Sequence, residues 1–496
     1  MTDHPAGLIR YIGFLGSVAL GIDAYLSGAF PTLPKSVTPQ LILRGPNGVL
    51  IWVLWLGGTA ALTGAWYFGR NLRTLTIRWT AVTAALWMLP MLVIPPIGSR
   101  DVYAYSCQGA LYAGGFNPYH FGVSALPCQW LDSVSLIWRN SPTPYGPLFI
   151  MIAGVAAKLG SLTAAIIAFR LLAVVGVIGL GYALVPALRG LGVPVERGLW
   201  LVLASPLVVM HLIGGAHNDA LNVMLLVAGF AVLITRFDRW HGLIIGGALA
   251  GLSVAIKPTM LVALPFMMLY ASGGSDAPRS ALVDPPKGFI GFPQVRPLVT
   301  RGGTVLLSAF LALCVPTAIS GLGFGWISAL VHAGGGIAYT SSSSAFGTVL
   351  DWLLRLVGVH IYAVPTTRNI GVMLMVIALI AAFLRGRYGD RLYACALAML
   401  AVSFFAPFAE PWYLVWPLVF FVMTKAKARW FLISVVVACF TAMPDGVNLD
   451  NLIRLPGSIA MVVVAAFGLV AGIRWLRGAQ PASLEQPQTP ELAPVP

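Results

Sequence analysis

Apolar runs close to the ~20 residues that cross a bilayer recur along this chain with short basic clusters between them, and a chain written this way must fold in lipid. Of its 496 residues, 58% are hydrophobic and 9% charged. A water-soluble domain of this length does not carry so little charge, so the expected fold is all-α, a polytopic membrane helical bundle. A transmembrane β-barrel needs short alternating segments, which are absent. The first apolar stretch, Leu8 to Leu26, holds Arg10 near its start and has no small-residue cleavage site after it. It reads as a retained span.

The net charge of +14 could suggest nucleic acid. The basic residues argue otherwise, because they sit in clusters between apolar runs: Arg70, Arg73 and Arg78; Arg236 and Arg239; Arg385, Arg387 and Arg391; Lys425, Lys427 and Arg429. This is the pattern of the positive-inside rule, with no basic stripe or aromatic platform for a nucleic acid. With these clusters in the cytoplasm, spans fall near 8–27, 49–69, 78–97, 162–186, 198–213, 218–235, 241–256, 259–271, 302–322, 369–384, 392–408, 412–424, 430–443 and 457–474. That makes about 14 passes, with both termini inside. Several are short for a bilayer, so the stretches 198–235 and 241–271 are expected to hold bent or half-inserted helices. Residues 1–478 read as one transmembrane unit, with 272–300 a cytoplasmic linker and 479–496 a disordered tail. Pro147 to Leu159 reads as an interfacial helix on the outer leaflet.

Four polar stretches fall outside by this count. The polar loop 98–144 opens with Ser99-Arg100-Asp101-Val102-Tyr103 and leads to Tyr145-Gly146-Pro147. Asp101 could deprotonate an incoming hydroxyl, or Arg100 and Asp101 could be a solvated pair capping the next helix. Gly214-Gly215-Ala216 leads into His217-Asn218-Asp219, which brings imidazole, amide and carboxylate to one turn; one of the last two could simply be an N-cap. Lys257, before Pro258, is a lone ammonium in an apolar stretch. It is either a phosphate contact or a snorkelling lysine. Glu410 precedes Pro411-Trp412-Tyr413, carboxylate beside aromatics, which suits sugar stacking or an interfacial belt. Cys107 and Cys128 share the outer loop, where a disulfide is possible. Cys314, Cys395 and Cys439 lie in spans and read as small apolar residues.

These residues carry a resemblance. Ser99 to Tyr103, Asn117-Pro118-Tyr119, Tyr145-Gly146-Pro147, His217-Asn218-Asp219, Ile256-Lys257-Pro258 and Pro411-Trp412-Tyr413 before Trp416-Pro417 occur in that order. Over about residues 45–475 the chain resembles the actinobacterial polyprenyl-phosphate-mannose-dependent α-1,6-mannosyltransferases, which elongate the mannan of lipomannan and lipoarabinomannan. The resemblance implies a GT-C glycosyltransferase fold with its active site on the extracytoplasmic face of the plasma membrane. It makes Asp101 the catalytic base and gives a polyprenyl-phosphate-mannose donor, a mannosylated glycolipid acceptor and inversion at the anomeric carbon. Lys257 is then the first candidate for the donor phosphate, with Arg100 and His217 behind it. Tyr103, Asn218, Asp219, Tyr145, Glu410, Trp412 and Tyr413 are the candidates for sugar and acceptor. Neither a metal nor another cofactor is expected, because too few carboxylates converge. A transporter or flippase of lipid-linked sugar, and the same chemistry with polyprenyl-phosphate-arabinose, are the competing readings.

Overall fold

The structure is a computed structural model. It describes residues 4–31, 39–236, 238–273, 295–333, 340–387, 389–426, 428–447, 449 and 453–477. Most of the expected linker 272–300 and all of the tail 479–496 lie outside the described residues. Among those described, the regular elements are helices, whose backbone hydrogen bonds close within their own segment, as lipid requires.

Six helices are long and apolar enough to cross a membrane: Pro5–Ser27, Gly48–Gly69, Leu162–Leu191, Asp219–Arg236, Val295–Ser320 and Val364–Gly386. A bent pair, Val195–Leu203 and Leu207–Gly214, passes the same test of length and composition when its two halves are taken together across their 50° bend. The break falls at Ser205-Pro206, and the second half is wound as a π-helix. The remaining apolar helices are shorter, among them Ile77–Leu92, Trp240–Ile256 and Arg391–Phe405. About 14 full crossings are therefore more than length alone supports.

Local chemistry sets the helix ends. Thr76 and Ser161 accept from Trp79 N–H and Ala164 N–H, and Asp390 accepts from Leu392 and Tyr393. Each oxygen satisfies an orphan donor of the first turn. Gly192, at φ 63°, ends the long helix Leu162–Leu191 in the left-handed conformation that glycine adopts without strain. Asp219–Arg236 is the most enclosed span, 61% buried at its apolar centre against 17% for Val364–Gly386, so the first is central and the second peripheral. It packs on Leu162–Leu191 and on Trp240–Ile256. Small residues allow this approach: a Cβ on Gly229 would come within 2.7 Å of the Gly246 carbonyl.

One buried cation organises the end of the bundle where these elements meet. Arg170, inside Leu162–Leu191, donates to the carbonyls of Leu92, Ile94 and Gly214 at 3.2, 2.7 and 3.0 Å. It thereby ties together the unwound end of Ile77–Leu92 and the turn at Gly214.

The stretch 98–144 is more ordered than an open polar loop. It contains the helix Asp101–Ala113, most of whose side chains are buried. The helix Pro147–Ala157 is where an interfacial helix was expected, but Phe149, Ile150 and Ala153 pack inward. Cys107 and Cys128 form a disulfide, with Cα atoms 5.7 Å apart and a sequence separation of 21. Closing a loop of that length removes about 3 kcal/mol of chain entropy from the unfolded state. The double variant Cys107→Ser/Cys128→Ser should therefore melt at a lower temperature in detergent. An unchanged melting curve would mean that the bridge does not constrain the loop.

Candidate functional site

The candidate site is assembled from four elements that converge at one end of the helix bundle. The first is the start of Asp101–Ala113. Asp101 is its first residue, and its backbone N–H donates to Ser99 Oγ at 3.1 Å. Because the segment is helical, positions 101, 104, 105 and 108 share a face while 103 points the opposite way. Tyr103 accordingly turns from the site and donates its hydroxyl to the Ala29 carbonyl. Tyr105 takes the place expected for Tyr103: its hydroxyl lies 3.3 Å from His217 Nδ1.

Arg100 also leaves the site. Its guanidinium donates to the carbonyls of Phe30, Ser133 and Asp445 at 2.7, 3.3 and 3.0 Å. It is 4% exposed. Fixed on three carbonyls, it braces the mouth of the loop and is not presented to a phosphate. Asp445 accepts from Val447 N–H across its own turn, as a turn residue should.

The second element is the turn after the π-helix. Gly215 lets the chain double back, since a Cβ there would sit 2.9 Å from the His217 ring. Ala216 follows at φ 54°, an uncommon conformation for a residue with a side chain. His217 is buried. Its Nδ1 is 3.7 Å from Asp101 Oδ2, and its ring stacks on Trp412 with centroids 4.1 Å apart. Burial, with His211 and Lys257 nearby, pushes the imidazole pKa well down. It stands neutral, a hydrogen-bonding group and not a second cation. The amide of Asn218 is buried with no partner among the described residues.

The third element is the break after Trp240–Ile256. The chain extends at Lys257 and resumes as the 3₁₀ turn Pro258–Ala263. The ammonium faces inward and is 5% exposed. It donates to both oxygens of Asp219, at 3.0 and 2.9 Å. The Tyr413, Trp416 and Tyr145 rings lie 4.6, 5.0 and 5.9 Å from it. Asp219 also accepts from Trp416 Nε1 at 2.6 Å. Its carboxylate is thus committed to holding the lysine, and is not open to a sugar. Trp416, which the sequence reading left out of the site, closes this pair.

The fourth element is the 3₁₀ turn Pro411–Leu414. Trp412 is 3% exposed, with one face covered by His217. Tyr413 stacks on Trp416 at 4.3 Å. Glu410 is half-buried at the head of the turn, and its carbonyl accepts from Tyr413 N–H.

Asp101 looks into a narrow recess lined also by Ala104, Gln108, Trp138, Pro144 and Tyr145, whose enclosed part has room for about one water. Burial raises the Asp101 carboxyl to a pKa of about 6, against the lowering pull of Lys257. The Tyr145 ring lines the recess beside Asp101 and lies 5.9 Å from the Lys257 ammonium. The adjacent Gly146 donates its N–H to the Ile256 carbonyl at 3.0 Å. A Cβ at Gly146 would overlap the Ala255 carbonyl. Gly146→Ala should therefore push the Asp101 and Lys257 elements apart and cost on the order of 10²-fold in turnover, as misplaced groups do. Unchanged kinetics in the purified variant would show that this spacing does not matter.

Residues 10–273 match the family model described as "Alpha-(1->6)-mannopyranosyltransferase, N-terminal domain", and residues 339–471 match "MptB C-terminal domain". The Alpha-(1->6)-mannopyranosyltransferase A of Mycobacterium tuberculosis is 30% identical over 430 residues, covering 84% of this chain and 80% of that protein. The A protein of Corynebacterium glutamicum is 27% identical over 80% of this chain and 83% of its own length. The B protein of the same organism is 24% identical over 94% and 79%. No solved structure matches.

Proposed function

The chain belongs to the α-(1→6)-mannopyranosyltransferase family, and from that premise we propose that it moves mannose from a polyprenyl-phosphate-mannose donor to the 6-hydroxyl of an α-1,6-mannan chain on a lipid-anchored glycolipid. The observation that carries the proposal is the pairing of functions at one rim. A carboxylate with a raised pKa opens into a recess, and an ammonium braced by Asp219 lies 5.9 Å from the Tyr145 ring that lines it.

Each group has a physical task. Asp101 accepts the proton of the acceptor hydroxyl as that oxygen attacks the anomeric carbon from the face opposite the phosphate. A pKa of about 6 leaves it ionised at neutral pH yet more basic than an ordinary carboxylate. Lys257 meets the charge that grows on the departing polyprenyl phosphate. Trp416 and Asn222 hold Asp219, the ammonium's carboxylate partner, so that the cation is positioned before the donor arrives. His217, neutral and facing Asp101, keeps the carboxylate oriented through its own contact with Tyr105. Asn218, Trp412, Tyr413 and Glu410 form the surrounding wall, where sugar hydroxyls and ring faces are read.

The proposal includes a GT-C type bundle, with shorter helices adding crossings towards about 14, and an extracytoplasmic site on the plasma membrane. The basic clusters support that sidedness, and so does the disulfide in the loop. A cysteine at the exposed Ser124 should react with an impermeant thiol reagent in intact cells, and one at the exposed Thr74 should not. Cys314, Cys395 and Cys439, the free cysteines among the described residues, would first be replaced by Ala. Labelling at Thr74 alone would invert the topology.

The proposal is tested by supplying purified protein with a short α-1,6-mannoside and labelled mannose in two forms. Label should reach the acceptor from polyprenyl-phosphate-mannose and not from a nucleotide-activated mannose. The opposite result would remove the lipid-linked donor from the account.

A further inference from the structure

Gln108 is a buried amide that the proposed mechanism does not use. It lies seven residues after Asp101 on the same face of Asp101–Ala113 and lines the same recess. It is 2% exposed, and its Oε1 has no hydrogen-bond partner among the described residues. An unpaired buried carbonyl is costly, so a helix that retains one has a reason to do so. Ala104, one turn before it, is small and lines the same recess.

The other walls have a matching character. Trp138 is half-buried in the short helix Leu136–Arg139 and is held edge-on by Phe408 at 5.0 Å. The disulfide from Cys107, the residue next to Gln108, ties this part of the helix to the following loop. An aromatic face opposite an amide and a carboxylate suits a neutral polyhydroxyl ring. The ring's C–H face covers the indole, and its hydroxyls pair with groups that both donate and accept. A phosphate does not suit the recess, because none of its lining residues is a cation and Asp101 would repel it. A polyprenyl chain does not suit it either, because the carboxylate and amide would be buried against hydrocarbon.

We propose that the mouth of this recess is the subsite for the acceptor mannosyl residue, which reaches its attacking hydroxyl inward, with Gln108 as the specificity-determining residue and Trp138 as the stacking wall. The assignment rests on the reading of Asp101 as base, which places the attacking oxygen at the recess and the donor phosphate at Lys257. Gln108 then discriminates a mannosyl acceptor from one lacking the hydroxyl it pairs with, since a site built around a hydrogen bond rejects an analogue that cannot make it.

The test uses the purified full-length chain, with donor and α-1,6-mannobiose varied independently. Gln108→Leu removes the amide and keeps its bulk. It should raise the acceptor KM by roughly tenfold or more while leaving kcat and donor KM within about twofold. Trp138→Ala should do the same, and Trp138→Phe should recover most of the loss. An unchanged acceptor KM, or a change confined to the donor, would overturn the subsite. Should Gln108→Leu fail to fold, the Trp138 pair decides. Binding of α-1,6-mannobiose by saturation-transfer NMR separates this proposal from the one beneath it. Asp101→Asn should still bind the disaccharide, and Asp101→Asn/Gln108→Leu should not. Normal turnover by Asp101→Asn with loss of binding in the double variant would sink the base and keep the subsite. Equal binding by both would sink the subsite alone.

Discussion

Asp101→Asn is expected to reduce mannosyl transfer by ~10²-fold or more, the usual worth of a positioned general base. The substitution is nearly isosteric, and Asn retains a side-chain oxygen facing His217 and the backbone N–H that donates to Ser99 Oγ. Expression and melting temperature should therefore stay close to those of the parent. The parent should also show a pH signature. Its carboxyl is held near 6 by burial, above the usual 3.8. It must be ionised to act as a base, so kcat/KM should fall about tenfold per pH unit below that value and level off above it. The stability contribution has the opposite sense. A raised carboxyl pKa favours the folded state below 3.8, and that contribution is lost as pH rises through about 6. Near-normal turnover by Asp101→Asn, or a flat profile through pH 6, would take Asp101 out of the mechanism.

Lys257→Ala should have the second largest effect, and it should appear in two observables. Removing one partner of a buried ion pair leaves the other charge uncompensated, typically at 3–5 kcal/mol. Asp219 would keep only Trp416 and Asn222 as donors. The variant should therefore melt well below the parent. It should also weaken donor use more than acceptor use, because the proposed task of the ammonium is the donor phosphate. The double variant Lys257→Met/Asp219→Asn removes both charges. It should recover much of the lost stability without recovering activity. If activity returned with stability, Lys257 would be a structural residue and the phosphate would need another partner.

The membrane class, the rim stretches and the inward lysine were legible in the sequence because each is a local signal. Apolar runs declare spans, and a lone ammonium in an apolar stretch demands a partner. The partner itself was not legible. Asp219 lies 38 residues away, and only the packing of Asp219–Arg236 against Trp240–Ile256 brings the two together. The resemblance brings in Tyr103 and not Tyr105, and the stretch 98–144 reads as a polar loop. Once residues 101–113 form a helix, the 3.6-residue period reverses that choice and exposes Gln108 as well. The helix was hidden because its apolar side chains pack inward against other elements instead of forming a run long enough for a span. Arg100 looked available because it adjoins Asp101, yet in a helix start adjacent side chains diverge, and its guanidinium finds three carbonyls. Arg170 was the missed signal that could have been found. It is a single cation within the span Leu162–Leu191, and such residues are retained for a partner.

The most direct measurement is the anomeric configuration of the product formed by the purified protein from polyprenyl β-mannosyl phosphate and α-1,6-mannobiose, read by NMR from isotope-labelled mannose. A single displacement, with Asp101 as base and Lys257 at the leaving phosphate, gives an α-linked trisaccharide extended at the 6-hydroxyl, and gives none when Asp101 is Asn. A β-linked product, or a mannosyl ester trapped on Asp101, would contradict it.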